Sequence, residues 1–218
     1  MKEVQIGKIY SILKKETKKY DTPYAHLVKV RTNEDYRTLV STILSARTRD
    51  ETTARVSEQL FSKAGNLKGL NKLSLKQIEK IIKPVNYYKT KSKNLKKLAS
   101  VVDKEFNGRI PCSVEELIRL PGVGRKTANL VSSVVFNKDA VYVDTHVHRI
   151  MNRFGYVSTK TPEKTEKELR KKLPKKYWRE ISEFLVVFGQ NLCKPQIPLC
   201  SKCPVSKYCY RINVVRSR

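Results

Sequence analysis

The chain has 218 residues, and its 46 lysines and arginines against 20 aspartates and glutamates give a formal net charge of +26. Its apolar fraction of 39% is enough for one large domain or two small ones. The basic residues are spread along the whole chain, so nucleic acid is the first candidate partner and an anionic membrane the second. A lysine-rich proteome in a hot or salty cell is an alternative origin of the charge.

No apolar run approaches the ~20 residues of a membrane span. The N-terminal segment mixes charges among its apolar residues and has no secretory h-region. We therefore expect a soluble, intracellular protein. Four of the five cysteines lie close together near the C-terminus, which in a reducing compartment favours metal ligation over disulfides.

Helical periodicity dominates the first half of the chain. An apolar stripe predicts a helix near the N-terminus, broken at 21–23, and Asn33 is expected to cap the next one. Asp50 is expected to cap a helix that runs to about residue 61. Ser74 and Gln77 form a capping box, and another helix is predicted from about 90 to 106.

The second half continues the helical pattern. A capping box at Ser113 predicts a helix through residue 120, and another helix begins near residue 126. The best strand signal is the short run DAVYV at 139–143, after which Asp144 is placed to cap the helix THVHRIMNRF. Thr161 opens a further helix, and the segment 177–193 is apolar and helical. The predicted fold class is all-α.

The stretch LPGVGRKTAN, residues 120–129, places two glycines before the start of a helix. Gly122 and Gly124 permit positive φ and close backbone approach, so the free N–H groups of the following helix can meet a phosphate oxygen. The spacing matches neither a P-loop nor a dinucleotide fingerprint. It resembles a helix-hairpin-helix that grips a DNA backbone, and a plain corner between two helices is the alternative.

Lys126 lies in the first turn of that helix, with Arg125 beside it. The helix N-terminus and the neighbouring cation both disfavour a charged ammonium, and an uncharged lysine amine is a nucleophile. An ordinary phosphate contact is the alternative role.

The cluster Cys193, Cys200, Cys203 and Cys209 has the spacing C-x6-C-x2-C-x5-C. Four thiolates so close in sequence predict a metal or cluster site. Zinc and iron–sulfur clusters both accept four thiolates, and the spacing leaves the choice open.

Taken together, the glycine stretch, the segment VDTHVHRIMNR and the cysteine spacing resemble the endonuclease III family of DNA repair glycosylases. The resemblance implies that Lys126 is the nucleophile, Asp144 the catalytic aspartate, and that the four cysteines ligate a [4Fe–4S] cluster. It also implies that Gly122, Gly124 and Arg125 contact the DNA backbone. The expected architecture is the two-domain helix-hairpin-helix glycosylase fold. A six-helix barrel spans 25–138, a cluster domain joins 1–24 to 139–218, and a DNA cleft lies between them.

The resemblance implies a bifunctional DNA glycosylase and abasic-site lyase that removes oxidised pyrimidines. Its partner would be double-stranded DNA with a damaged base or an abasic site, and the enzyme would be a monomer associated with the nucleoid in the cytoplasm. The damaged nucleotide must leave the base stack before any side chain reaches its sugar. Lys126 would form a Schiff base at C1′, and β-elimination would then cut the strand.

Several DNA-contacting positions depart from the family pattern. Arg47 stands in the loop after Ser45 where the family often has glutamine, and arginine prefers guanine edges. Tyr87 stands where an aliphatic wedge is common, with Tyr88 as the alternative, and a tyrosine could wedge by stacking. His146 could line the pocket or be structural. These departures affect which lesions the enzyme would remove and which opposite base it would prefer, and they do not affect the expected chemistry.

Two other functions are retained as alternatives. The first is a monofunctional mismatch glycosylase of the T·G, U·G or A·G type; lysine at 126 argues against it, because relatives without lyase activity usually carry another residue there. The expected absence of a C-terminal domain beyond Cys209 argues against the adenine type. The second is a non-enzymatic, metal-stabilised DNA-binding protein.

Overall fold

The computed structural model describes residues 3–20 and 35–218, and the regular structure in these ranges is helical throughout. The α-helices are α1 (Ile6–Glu16), α2 (Asp35–Ser45), α3 (Asp50–Lys63), α4 (Leu67–Lys72), α5 (Leu75–Ile82), α6 (Tyr88–Glu105), α7 (Val114–Leu117), α8 (Arg125–Val134), α9 (Thr145–Phe154), α10 (Pro162–Lys172) and α11 (Trp178–Asn191). The all-α prediction is confirmed.

The prediction of a strand at 139–143 was wrong. Within the described ranges no strand pairs with this segment, and it forms an irregular stretch that leads directly into α9. Its residues from Ala140 to Val143 are nonetheless buried. A short run of β-branched and aromatic residues can therefore be buried without forming a strand, since a β-sheet also requires a neighbouring strand for hydrogen bonding.

The chain divides into two compact units, Met1–Thr22 with Asp139–Arg218 and Pro23–Lys138. In the first, α11 packs against α9 and α1, and α10 packs against α9. In the second, α2 packs on α3 and α8, α6 packs on α4 and α5, and α7 packs on α8. Each unit has a fully buried aliphatic core, which includes Ile9 and Ile150 in the first and Leu39 and Leu95 in the second.

Several helix starts follow from local capping. The Ser74 capping box is present. The Ser113 side chain accepts a hydrogen bond from the Glu116 amide, and the Thr161 side chain accepts one from the Lys164 amide. The prediction for Asp50 was wrong: this residue is the first helical residue of α3, and Arg49 holds the cap position. An acidic residue in the first turn also favours a helix start through the helix dipole. The predicted break at 21–23 and the predicted cap Asn33 lie outside the described residues.

The helix after Ser113 is shorter than predicted, because it ends at Leu117 and a turn carries the chain to Pro121. Among the described residues, no helix is both long enough and apolar enough to cross a membrane.

Candidate functional site

The glycine stretch between α7 and α8 forms a tight turn. The Val123 amide donates to the Leu120 carbonyl at 3.1 Å, with Pro121 and Gly122 as the two central residues. Gly122 has φ +81, and a Cβ there would lie 3.0 Å from Asn94. A proline followed by a residue at positive φ is the signature of a type II turn. The turn therefore requires glycine at position 122, both for its positive φ and because a Cβ would crowd Asn94.

Gly124 serves a different purpose. It is the N-cap of α8 at φ −86, without a side-chain cap hydrogen bond, and a Cβ there would meet nothing within 4 Å. Its lack of a side chain is therefore not needed for packing within the protein. Because glycine has no side chain, residue 124 adds no steric obstacle to an anion that approaches the start of α8.

Arg125 and Lys126 open α8, and both side chains are exposed, whereas Thr127 is buried. Lys126 is thus presented to solvent within the first turn of a helix whose N-cap residue has no side chain. The structure keeps these two cations beside the glycine turn, all within the second unit. This grouping provides hydrogen-bond donors, positive charge and an amine at one helix end.

Asp144 caps α9 in the first unit. Its Oδ1 accepts hydrogen bonds from the amides of His146 at 2.8 Å and Val147 at 3.0 Å, and the side chain is half-buried. Neither of these bonds uses Oδ2. The cap fixes the orientation of the carboxylate while leaving its second oxygen outside the capping interaction.

His146 lies against α11. A Cβ at Gly189 would be 2.5 Å from the His146 Nδ1, so the helices approach closely only because residue 189 is glycine. Arg149 donates to Nδ1 at 3.2 Å, which assigns the acceptor role to that nitrogen. The structure therefore shows His146 in a packing role at the α9–α11 contact.

In the second unit, two turns meet at the positions of Arg47 and Tyr87. Both residues have left-handed backbones, with φ 55 and φ 57, and both are exposed. Arg47 Nη1 donates to the Tyr87 hydroxyl at 3.1 Å, and the guanidinium carbon lies 5.8 Å from the ring centroid. Ser45 is half-buried and donates to the Thr42 carbonyl, while Tyr88 begins α6.

Lys91 is a residue in this region that the sequence reading missed. It is 6% exposed, and its Nζ donates to the carbonyls of Leu44 and Ala46, each at 2.7 Å, and to the Thr48 hydroxyl at 3.2 Å. The available signal was its position, because Lys91 falls on the apolar face of α6 with Leu95 and Leu98.

The four clustered cysteines line one cavity in the first unit, with Phe154, Phe188 and Leu192 among its apolar walls. Across residues 3–20 and 35–218, no three His, Cys, Asp or Glu side chains are arranged to hold a single metal ion.

Hydrogen-bond donors surround these sulfurs. Arg153, which is 7% exposed, donates to Cys193 Sγ at 3.3 Å, and the Arg211 amide donates to Cys209 Sγ at 3.3 Å. Burial raises the pKa of Cys203 to about 11 and also raises that of Cys209, and neighbouring cysteines add to both increases. The donor set is therefore four thiols whose ligation requires proton release, beside groups that stabilise negative sulfur.

Comparison with known proteins identifies the family. Residues 40–175 match the model of the HhH-GPD superfamily base excision DNA repair protein. The chain is 45% identical over 176 residues to endonuclease III of Thermotoga maritima, with 81% of this chain and 83% of that protein covered.

Solved structures agree. A non-covalent endonuclease III–DNA complex has a TM-score of 0.81 and 30% identity, covering 95% of this chain and 94% of that chain. A thermostable thymine-DNA glycosylase has the same TM-score of 0.81 at 26% identity, covering 94% of each chain.

Proposed function

Since the chain belongs to the HhH-GPD superfamily of base excision DNA repair proteins, we propose how its residues carry out repair. Its activity is that of a DNA glycosylase and abasic-site lyase of the endonuclease III type. The assignment of each step to a side chain, the lesion class and the cofactor belong to the proposal.

The observation that carries the proposal is the position of Lys126. Its side chain is exposed at the second residue of α8, directly after the Gly122–Gly124 turn, and the N-cap Gly124 has no side chain of its own. A DNA phosphate bound at the start of α8 would bring the adjacent sugar toward this amine. An amine beside a bound phosphate has the position that a sugar-directed nucleophile requires.

The chemistry proceeds through the extruded nucleotide. Neutral Lys126 attacks C1′, the bond from C1′ to the base breaks, and the base leaves with the bonding electron pair and acquires a proton. Loss of the amine proton and opening of the sugar give a Schiff base between Nζ and C1′. The imine acidifies the C2′ proton. Its removal by a base expels the 3′ phosphate from C3′, which cuts the strand.

Asp144 stabilises the positive charge that develops on the sugar as the base leaves. The capping geometry supports this role, because both amide hydrogen bonds use Oδ1 and leave Oδ2 outside the cap. One carboxylate can thus start α9 and also act on the substrate. The same oxygen can assist proton transfer during elimination.

Cys193, Cys200, Cys203 and Cys209 would hold a [4Fe–4S] cluster. The four cysteine side chains line one shared cavity, and the hydrogen bonds from Arg153 and the Arg211 amide would stabilise thiolate sulfur there, which supports ligation of a metal centre by this set. The cluster would supply thiolate–iron bonds that hold the C-terminal loop together, and base removal does not require it.

The proposed substrate is double-stranded DNA with an oxidised pyrimidine or an abasic site, bound by a monomer in the nucleoid. Gly122, Gly124 and Arg125 would contact the backbone, with Ser45, Arg47, Tyr87 and His146 as further proposed contacts. A mismatch glycosylase is the second candidate, because the thymine-DNA glycosylase has the same TM-score as the endonuclease III complex. Lys126 favours the bifunctional enzyme, since an amine nucleophile supports strand cleavage.

Single-turnover assays on duplexes with thymine glycol, 5-hydroxycytosine, uracil, a T·G mismatch or an abasic site separate these candidates. The bifunctional enzyme excises the oxidised pyrimidines and leaves β-elimination ends without added base. Excision only from T·G or U·G, with intact strands until alkali is added, would instead identify the mismatch enzyme.

A further inference from the structure

The two exposed left-handed residues Arg47 and Tyr87 occupy strained positions. A left-handed backbone is unfavourable for a residue with a side chain, and such conformations persist only when surrounding contacts enforce them. Here the enforcing contacts come from one buried and one exposed side chain. They come from Lys91 on α6 and from Asn86 at the preceding turn.

Lys91 satisfies carbonyls where α2 ends. The last carbonyls of a helix have no partner within the helix, and a cation at that end also complements the helix dipole. The Ser45 carbonyl accepts a hydrogen bond from the Thr48 amide, and the Arg47 carbonyl accepts one from the Asn86 side chain. The two other carbonyls of this segment, those of Leu44 and Ala46, accept hydrogen bonds from the Lys91 ammonium.

The Thr48 hydroxyl connects the two turns. It accepts from Lys91 Nζ at 3.2 Å and from the Asn86 amide at 3.3 Å. Tyr87 follows Asn86 directly, and its carbonyl accepts the Lys91 amide at 3.0 Å. A single buried ammonium is thus linked to both turns, one in the α2–α3 connection and the other at the start of α6. Burial lowers the pKa of Lys91 to about 8, so at neutral pH it keeps the three protons that these acceptors need.

We propose that Lys91 is a positioning residue that sets the paired Arg47–Tyr87 surface in a DNA-reading conformation before DNA binds. This inference rests on the proposed function, because it assigns that surface the task of reading the base opposite the lesion. Pre-organisation avoids the ordering cost at the moment of binding, so it improves affinity and discrimination while leaving the chemistry at Lys126 untouched. Arg47 and Tyr87 are then presented together, since their side chains already contact each other.

The chain supplies a matched control on the same helix. Lys96 also projects from α6 and donates to the backbone carbonyls of Asn71 and Leu73, at the end of α4. Lys96→Met removes a comparable set of bonds to a helix end but leaves the Arg47 and Tyr87 turns unchanged. Lys91→Met and Lys96→Met therefore separate general stability from positioning.

The test measures binding to duplexes with a tetrahydrofuran abasic analogue opposite each of the four bases. Lys91→Met should weaken binding about tenfold and remove most of the difference among opposite bases, while Lys96→Met stays within about twofold of wild type. Hydrogen exchange at residues 44–48 and 86–87 should accelerate only in Lys91→Met. Equal behaviour of the two variants, or retained discrimination in Lys91→Met, would overturn the proposal.

A milder pair guards against misfolding of Lys91→Met. Thr48→Val removes the shared hydroxyl, whereas Thr48→Ser keeps it. Loss of discrimination in the valine variant with recovery in the serine variant supports the assignment; the same discrimination in both contradicts it. Saturating single-turnover cleavage should remain within about twofold of wild type in all of these variants, since they do not alter Lys126. A wild-type protein that cleaves nothing would instead refute the proposed function.

Discussion

Arg47 and Tyr87, forty residues apart in the chain, are joined by a hydrogen bond of 3.1 Å and a ring contact of 5.8 Å. Both side chains are exposed, so this contact is made at the protein surface. A planar guanidinium held over an aromatic ring keeps its outer N–H groups available for a base edge. The pair thus combines a stacking surface with a hydrogen-bond donor.

Arg47→Gln should reduce the preference for a lesion opposite guanine, because the bidentate contact from arginine to a guanine edge contributes about 1–3 kcal/mol. Competition binding with guanine or adenine opposite the abasic analogue measures this preference. Arg49→Gln, which changes another exposed arginine two residues away, should leave it unaltered. A uniform loss of affinity opposite all four bases would reduce Arg47 to a backbone contact.

The two hairpin glycines should respond differently to alanine. Gly122→Ala should lower the free energy of unfolding by about 1–2 kcal/mol or more, because alanine disfavours φ +81 and its Cβ would lie 3.0 Å from Asn94. Gly124→Ala should cost less, about 0.5–1 kcal/mol, since its Cβ meets nothing and only the preference for glycine over alanine at an N-cap is lost. Chemical denaturation measures both.

Gly124→Ala should still weaken DNA binding, because its methyl group enters the space where a phosphate would approach the amides of α8. Unchanged affinity in this stable variant would show that the turn is only a corner between helices.

The cysteine assignment predicts that purified protein is brown, absorbs near about 400 nm and contains roughly four iron and four sulfide per chain. Cys203→Ala should lose this absorbance, whereas Cys112→Ser, outside the cluster, should keep it. Elemental analysis that finds stoichiometric zinc and no iron would refute the iron–sulfur assignment.

The N-terminal helix should show a pH-dependent attachment through Glu180. Tyr10 and Lys14 on α1 both donate to this carboxylate on α11. Burial acts to raise the pKa of Glu180, but the hydrogen bonds from Tyr10 and Lys14 and the Lys14 charge outweigh it, so the pKa lies below the ordinary value. The carboxylate therefore contributes stability above the unfolded pKa of about 4.5.

Glu180→Gln should reduce the free energy of unfolding by about 0.5–1 kcal/mol at pH 7, a modest value because the pair is partly exposed. The difference from wild type should shrink as pH falls below 4.5 through the lowered folded pKa. Glu168→Gln, which removes a pair with Lys171 inside α10, is the control. A difference that is constant from pH 7 to pH 3.5 would exclude this linkage.

Local signals made much of the fold predictable. The Ser74 box and the Asp144 and Thr161 caps depend on side chains within three residues, so the sequence alone reveals them. Helix α4 escaped prediction because it is only six residues long and contains Gly69. The strand prediction at 139–143 failed for a different reason. The apolar residues of this segment are buried, but no partner strand exists for it among the described residues.

The site was predictable wherever residue types cluster in sequence, as with the cysteines and the glycine turn. Lys91 was not, because its acceptors lie 43 to 47 residues away and only the folded chain brings them together. A lysine on an apolar stripe indicates a buried partner but does not identify it. The Arg47–Tyr87 contact was hidden for the same reason.

In the proposed mechanism, Lys126 is the amine that bonds to the sugar. Sodium borohydride reduces a Schiff base to a stable secondary amine, so a covalent protein–DNA complex should form on abasic-site DNA, and peptide mapping should find the adduct on Lys126. Arg125→Gln should still be trapped, and Lys126→Gln should not. Trapping of Lys126→Gln at the wild-type level, or an adduct on a different residue, would show that Lys126 is not the nucleophile.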